Sequence, residues 1–440
     1  MKKSQILGIA VGATLAMGLS ASAFATDGYQ LDGIGQYAMG MAGAVVAAPD
    51  DPLSAAMSNP AGLALLTPQA AYSAEIFNPT RKTNFGFGET GSHSNVYGVP
   101  AIGWVAPAFG DGIVFGGGVY GTSGLGVNYL QSTGNPAFGN IQAYSSITFM
   151  QMAPSLAMKV NNHLAVGASL NISAEQGSFQ QTASAFPGDL RQMGMSVPPG
   201  TPGGLNLASP SWAYGVGATL GVLYKVNDMV TLGATYKTPI IFTPMTWQET
   251  GEIGQNPNGS PVIGTFGQYS GHLNYPQQIA LGLAIRPIHQ WLISVEGQWI
   301  NWHATMNNFT IYGPWQGQSS VALPMHWSNQ WVANIGTQYD LTNWLQVRAG
   351  YTYGSNPISN ANTGNNLLFP AVVTNAVTFG ATQKLGMGWK LTEAYMHAFA
   401  NTITGTSPYA GVARQLGVTL DPASATLAEN SYGLQIGYEF

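Results

Sequence analysis

From Pro68 to the C-terminus, runs of period two are joined by connections that are short and long in strict turn, and this alternation restricts the fold more than any motif does. Trp212, Tyr214, Val216, Ala218, Leu220, Val222 and Tyr224 share one face of such a run, opposite Ala213, Gly215, Gly217, Thr219 and Gly221. Leu164, Val166, Ala168, Leu170 and Ile172 repeat the pattern against Ala165, Gly167, Ser169, Asn171, Ser173 and Glu175. A strand puts successive side chains on opposite faces, so each run carries large apolar groups on one side and small or polar groups on the other. Tight connections fall at Phe109–Gly112, Val160–His163, Val226–Met229, Arg286–Gln290, Tyr339–Asn343 and Leu385–Gly388. Long polar ones fall at Gly88–Asn95, Val127–Ile141, Gln180–Pro210, Gln248–Phe266, Asn307–Leu323, Ser355–Pro370 and Asn401–Glu429. The pattern predicts an all-β fold, an antiparallel transmembrane barrel of about 14 strands with periplasmic turns on one rim and extracellular loops on the other. An even count returns both ends of the barrel, residues 68–440, to the periplasmic rim.

Charge decides what the large apolar face meets. Only 7% of residues are charged, against about 25% in soluble domains, too few to cover a soluble sandwich of this size. Beyond the N-terminus no apolar run reaches the roughly 18 residues that a membrane helix needs. Closure pairs every backbone group in hydrocarbon, as lipid demands of a sheet. Trp291, Trp299, Trp302, Trp327, Trp331, Trp344 and Trp389 lie mostly near strand ends, as an interfacial aromatic girdle would. The last run places Tyr432, Leu434, Ile436, Tyr438 and Phe440 on one face, and this ending resembles the assembly signal of bacterial outer-membrane proteins.

Residues 1–25 read as a secretory signal peptide: Lys2 and Lys3, an apolar core from Ile6 to Leu19, then Ala23-Phe24-Ala25. The expected location is therefore the outer membrane of a Gram-negative bacterium. There is no cysteine, which removes disulfides and thiol catalysis, and no basic run that would suit nucleic acid. His93, His163, His272, His289, His303, His326 and His397 are scattered through loops, turns and strand ends, and the acids are equally dispersed. No catalytic triad, paired carboxylates, metal site or cofactor site is called for, and the chain is expected not to be an enzyme.

Residues 26–67 belong to neither pattern. Pro49, Pro52 and Pro60 and many glycines forbid a long helix, and the stretch does not alternate. It is mostly apolar, with Asp32, Asp50 and Asp51 among its few charges, so it needs a wall around it. It is expected to be a hatch that plugs the lumen.

Asn59-Pro60-Ala61-Gly62 resembles the hatch motif of the FadL family of outer-membrane transporters of long-chain fatty acids and other hydrophobic compounds, and residues 25–47 resemble that family's mature N-terminus. The resemblance continues through Ala153-Pro154-Ser155-Leu156-Ala157, Leu232 to Lys237, Pro276 to Trp302, and Val347-Arg348-Ala349-Gly350-Tyr351. It implies a fourteen-stranded barrel with an N-terminal hatch, a low-affinity groove near Val127–Ile141, and a third strand kinked inward to open a lateral window. The run Gly116-Gly117-Gly118, with Gly121 beyond it, is where the third strand is expected to bend, because glycines weaken pairing and admit a bulge. The same glycines would also make room for hatch backbone.

A molecule of low water solubility needs apolar surfaces in sequence. Tyr129, Leu130 and Phe138 are candidate landing residues outside, and Leu31, Met39, Met41 and Leu53 candidate pocket residues on the hatch. By alternation Glu75, Glu175, Lys237, Glu296 and Arg348 point into the lumen. Lys237 and Arg348 can pair with a fatty-acid carboxylate, or with those glutamates and with Asp50 and Asp51. The expected function is passive, ligand-gated uptake of long-chain fatty acids or similar hydrophobic compounds by a monomer in contact with outer-membrane lipid, leaving sideways through the wall. Uptake of aromatic or aliphatic hydrocarbon, a general aqueous porin and a purely structural barrel are the alternatives.

Overall fold

The computed structural model describes residues 27–135, 138–183, 204–255, 261–315 and 318–440. The expected signal peptide, 1–25, lies outside the described residues. The wall begins with β1 (Gln69–Asn84), followed by a three-residue β2 (Glu89–Gly91), β3 (Tyr97–Val105) and β4 (Ile113–Ser132). It continues through β5 (Asn140–Lys159), β6 (Leu164–Ala183), β7 (Gly204–Lys225), β8 (Val230–Lys237) and a two-residue β9 (Ile241–Phe242). A hairpin of β10 (Met245–Gln255) and β11 (Pro261–Gly271) precedes β12 (Gln278–Ile288) and β13 (Trp291–Ile300). A second hairpin, β14 (Asn308–Trp315) and β15 (Gln318–Pro324), precedes β16 (Gln330–Asp340), β17 (Leu345–Gly354), β18 (Asn375–Gly386), β19 (Trp389–Gly405) and β20 (Ala423–Glu439).

Fourteen of these strands close into one antiparallel barrel. β1 completes the circle, pairing with β20 from Gln69↔Glu439 to Asn84↔Ser424 and with β3 from Gln69↔Val105 to Phe77↔Tyr97. Large apolar side chains such as Ile76, Leu156, Leu170, Val216, Leu281, Ile335, Phe379 and Ile436 stand exposed on the outside, while Ser73, Ser155, Ser169, Asn171 and Thr352 are buried within. The barrel is inverted relative to a soluble fold.

The long connections differ from the polar loops expected. β4, β5, β6 and β7 run on as strands well past the predicted boundaries, leaving only residues 133–139 to join β4 to β5. Gln248–Phe266 and Asn307–Leu323 are largely the two hairpins, which pair into a separate four-stranded sheet. Beyond the hydrocarbon a strand has no need of an apolar face, so its alternation fades and it reads as loop. Leu367 to Val373, expected partly as outer loop, fold back and are buried. Trp302 and Trp327 are not girdle residues either: both are fully buried, carried inward by α3 (Trp302–Met306) and the stretch before β16. A further helix, α4 (Ala410–Leu416), lies between β19 and β20.

The leading segment lies inside the barrel. It folds as α1 (Gln36–Gly40), α2 (Pro52–Met57) and a 3-10 turn, Pro60–Leu65, all too short to be stable without the wall. Asp51 starts α2 by accepting from the Ser54 N–H at 2.7 Å, with Pro52 at the first helical position, where its missing N–H costs nothing. The other Asp51 oxygen accepts from Gln435 Nε2 at 2.6 Å, and the Gln36 N–H donates to Gln435 Oε1 at 2.8 Å, so both helices are tied to β20.

Candidate functional site

Asn59, Pro60 and Ala61 are buried at the centre of this attachment. Pro60 forces its predecessor out of the helical region, and Asn59 is extended at φ −145°, ψ 101°. Asn59 Nδ2 donates to the Val46 carbonyl at 2.8 Å and to the Val222 carbonyl of β7 at 3.1 Å, while its Oδ1 accepts from the Ala61 N–H at 3.1 Å. One side chain thus ties two parts of the segment to the wall. Gly221 makes the approach possible: a Cβ there would stand 2.1 Å from Asn59 Oδ1.

The third wall strand is broken, and the break lies above the glycines. Gly116 to Tyr120 pair fully with β3, from Val105↔Gly116 to Ala101↔Tyr120, and also with β5. Gly116 to Gly118 therefore belong to the intact wall. From Gly121 onward β4 has no register with β3, and a bulge between Gly121 and Ser123 turns it inward. Tyr120 to Val127 are then buried on both faces. The leading segment takes up the freed backbone: the Leu31 N–H donates to the Thr122 carbonyl at 3.2 Å, the Gly124 N–H donates to the Tyr29 carbonyl at 3.1 Å, and Gln30 bridges Ser123.

The four candidate pocket residues fall into three groups. Leu31 and Leu53 pack with Ile34, Phe77, Tyr97, Val99 and Tyr120 directly behind the break. Met39 joins the large aromatic cluster that fills the long-connection half of the lumen. Met41 packs with Tyr37, Val45, Ala284 and Leu292 against the wall and joins neither group. Of the landing residues, Tyr129 is fully buried against Phe85 and belongs to β4, and Leu130 is exposed on the outside. Phe138 is buried beside Phe87 at 4.9 Å and Tyr409 at 5.9 Å, under α4. These three do not form one surface, because the strand that carries two of them alternates.

The luminal charges are all inside, as expected from alternation, with unequal partners. Arg348 is satisfied by neutral groups: Gln338 Oε1 at 2.8 Å, Thr382 Oγ1 at 2.8 Å and Gln346 Oε1 at 3.2 Å, with its guanidinium 4.7 Å from the centre of the Tyr37 ring. It holds α1 in place. Lys237 lines a cavity of about 30 Å³ with Asp27, Asp32, Gln278 and Glu296, room for about one water. Burial, then the neighbouring Asp32, hold the Asp27 carboxyl well above the usual range. Glu75 accepts from Ser431 Oγ at 2.7 Å.

Two groups escaped the sequence reading. Arg81, buried on the inner face of β1, donates through Nη2 to the Tyr97 hydroxyl at 2.9 Å, while Nε and Nη1 have no hydrogen-bond partner among the described residues. Extending the period-two count along β1 would have placed it inside. The second is an aromatic cage. Tyr29 stacks on Phe149 at 5.4 Å and 8°, and its ring centre lies 4.4 Å from Trp302, 6.0 Å from Trp327 and 6.0 Å from Tyr275. No local signal announces it, since its members come from five distant stretches.

A closed fourteen-stranded antiparallel barrel with large apolar side chains outside and an occluded lumen is the architecture of an outer-membrane barrel protein. The chain matches the outer membrane protein transport protein family (OMPP1/FadL/TodX) over residues 12–440 and belongs to it. The family comprises outer-membrane transporters of hydrophobic compounds. Among solved structures the fold is similar to the toluene transporter TodX of P. putida, with 20% identity, TM-score 0.71, and 93% of this chain and 99% of that one covered. It is similar to a Pseudomonas aeruginosa FadL homologue, with 18% identity, TM-score 0.71, and 94% and 100% covered. The Ralstonia pickettii toluene transporter TbuX gives 19% identity, TM-score 0.67, and 93% and 99% covered. No curated protein matches the sequence.

Proposed function

We propose that the chain is a passive, monomeric carrier that takes small hydrophobic molecules from outside and releases them sideways into the outer membrane. Residues 26–67 act as the hatch, the short turns face the periplasm, and the ligand shifts the hatch between seated and displaced populations. The departure of β4 from β3 above Tyr120 carries this reading, because the apolar group around Leu31, Leu53, Phe77 and Val99 lies directly behind it. A hydrophobic molecule reaching that point has apolar surface on one side and lipid on the other, and no reason to enter the aqueous mouth.

The seam can be locked. Val99 Cγ1 lies 3.1 Å from where a Cβ on Gly121 would stand, within reach of a disulfide, and the chain has no other cysteine. Val99→Cys with Gly121→Cys is expected to abolish uptake of labelled toluene when oxidised and to restore it on reduction. Full uptake by the oxidised protein would refute lateral exit.

Arg81 favours a second reading, uptake of long-chain fatty acids, because its guanidinium retains two unpartnered nitrogens inside the barrel and suits a carboxylate. Competition between oleate and toluene in wild-type protein and in Arg81→Gln separates the two: only a fatty-acid carrier loses oleate binding selectively.

A further inference from the structure

Glu175 is fully buried on the inner face of β6, and neither of its carboxyl oxygens has a hydrogen-bond partner among the described residues. No described lysine, arginine or histidine lies within ion-pair distance of it. Below it on the same face, Ser173 Oγ and Asn171 Oδ1 are likewise buried without partners, and so is the Tyr29 hydroxyl of the leading segment. Buried polar atoms are nearly always paired, so this many orphans along one strip of lumen want a guest.

Their position is specific. Ser123, Phe149, Glu175 and Ala213 form one row across β4, β5, β6 and β7, so Glu175 sits level with the bulge that opens the seam. Phe149, between them, is the ring on which Tyr29 stacks, and Tyr275 meets it edge-on at 5.3 Å. Across the ladder from Ser173 and Asn171 stand Gly215 and Gly217, over which the Ile240 side chain packs, adding an apolar side to the strip. The strip combines aromatic faces with unsatisfied polar atoms.

The atom types select the guest. Glu175 and Asn171 offer acceptors, while Tyr29 and Ser173 offer hydroxyls that can donate or accept. An ammonium carries donors and no acceptor, and a carboxylate carries acceptors only and would bury its charge without a counter-ion. A hydroxyl can donate to Glu175 and accept from Tyr29 together. Resting on the uptake reading above, we propose that the strip Glu175–Ser173–Asn171 with Tyr29 is a binding site for a small aromatic molecule bearing a hydroxyl group, a phenol or aromatic alcohol.

The test compares toluene, p-cresol, p-toluate and benzylamine, matched in size, as ligands of purified full-length protein, read by quenching of tryptophan fluorescence. Wild-type protein is expected to bind p-cresol about tenfold or more tightly than toluene, as hydrogen bonds to buried, otherwise unpaired carboxyl oxygens warrant, and to disfavour p-toluate. Glu175→Leu is expected to bring the cresol-to-toluene ratio below about threefold, Tyr29→Phe to lower it, and the near-isosteric Glu175→Gln to keep part of it. A wild-type ratio near one, a ratio unchanged in Glu175→Leu and Glu175→Gln, or parallel loss of both ligands would overturn the site. Preferential, Glu175-dependent binding of benzylamine would overturn the hydroxyl assignment. Toluene entry into proteoliposomes is measured separately: its absence removes the carrier reading and leaves the binding ratio standing.

Discussion

The Val46 N–H donates to Oε2 of Glu296 at 3.0 Å, and the neighbouring Val45 N–H joins it at 3.1 Å. One wall carboxylate thus holds the backbone of the turn between α1 and α2. Displacing the hatch must break both bonds at once. Glu296→Ala is expected to remove about 3 kcal/mol of seating free energy, roughly a hundredfold in the seated-to-displaced ratio, whereas Glu296→Gln keeps an acceptor oxygen and stays closer to wild type. Single-channel recording in bilayers checks this. Closed channels in Glu296→Ala would show that the turn is held by other contacts.

Asn59 and Gly221 form one unit, so their variants should not add. Asn59→Ala leaves the Val46 and Val222 carbonyls without their amide donor, at a cost of about 1–3 kcal/mol. Gly221→Ala pushes a methyl group to 2.1 Å from Asn59 Oδ1 and must unseat the same side chain. Each variant alone is expected to speed proteolysis within residues 26–67. In the Asn59→Ala background Gly221→Ala should add less than it does alone, because the contact with Oδ1 has gone and only Pro60 Cδ, 2.8 Å from the new methyl, still has to give. Additive rates would mean that Gly221 serves the wall and not the hatch.

The barrel was legible because lipid and lumen impose opposite demands on alternate residues, and that demand writes a period of two into β1, β6, β7 and β20. The Asn59-Pro60-Ala61 turn was legible for a local reason, since proline restricts its predecessor. What escaped depends on distance. Trp302 and Trp327 look like interfacial residues until the chain is seen to fold back between β13 and β16. The bend in β4 was expected along Gly116 to Gly118 with Gly121, and the bulge falls at the far end of that run, at Thr122 beside Gly121, where Tyr29 to Leu31 pair with the strand. Glycine permits a bulge, and a competing partner decides where it forms.

That distinction separates Gly117 from Gly121. Gly117 has φ +149°, and a Cβ there would lie 2.4 Å from the Ala153 carbonyl oxygen of β5, so Gly117→Ala strains the paired wall. It is expected to lower the temperature at which the folded barrel converts to the slow-migrating unfolded band on a denaturing gel, by about 1–2 °C for each kcal/mol lost in a chain of this length. Gly121 stands at the open seam, where the nearest obstacle is the Val99 side chain at 3.1 Å. Gly121→Leu should leave heat resistance close to wild type and slow uptake. Equal loss of heat resistance in both would mean that the seam is part of the wall's stability.

Hatch seating should weaken as pH rises. Burial and then the charge of Asp32 hold the Asp27 carboxyl well above the usual range, Glu296 adds to the effect, and Lys237 opposes it. In a displaced hatch Asp27 meets water and returns to an ordinary value near 3.9. The seated state therefore binds the proton more tightly. Its contribution is fully present below the ordinary value and is lost as pH rises towards the seated one. Open-channel probability is expected to increase with pH across that interval and then level off, and Asp27→Asn, which cannot ionise, should flatten the rise. Recordings from pH 4 upward on wild type and Asp27→Asn decide it; the same slope in both would assign the titration to another group.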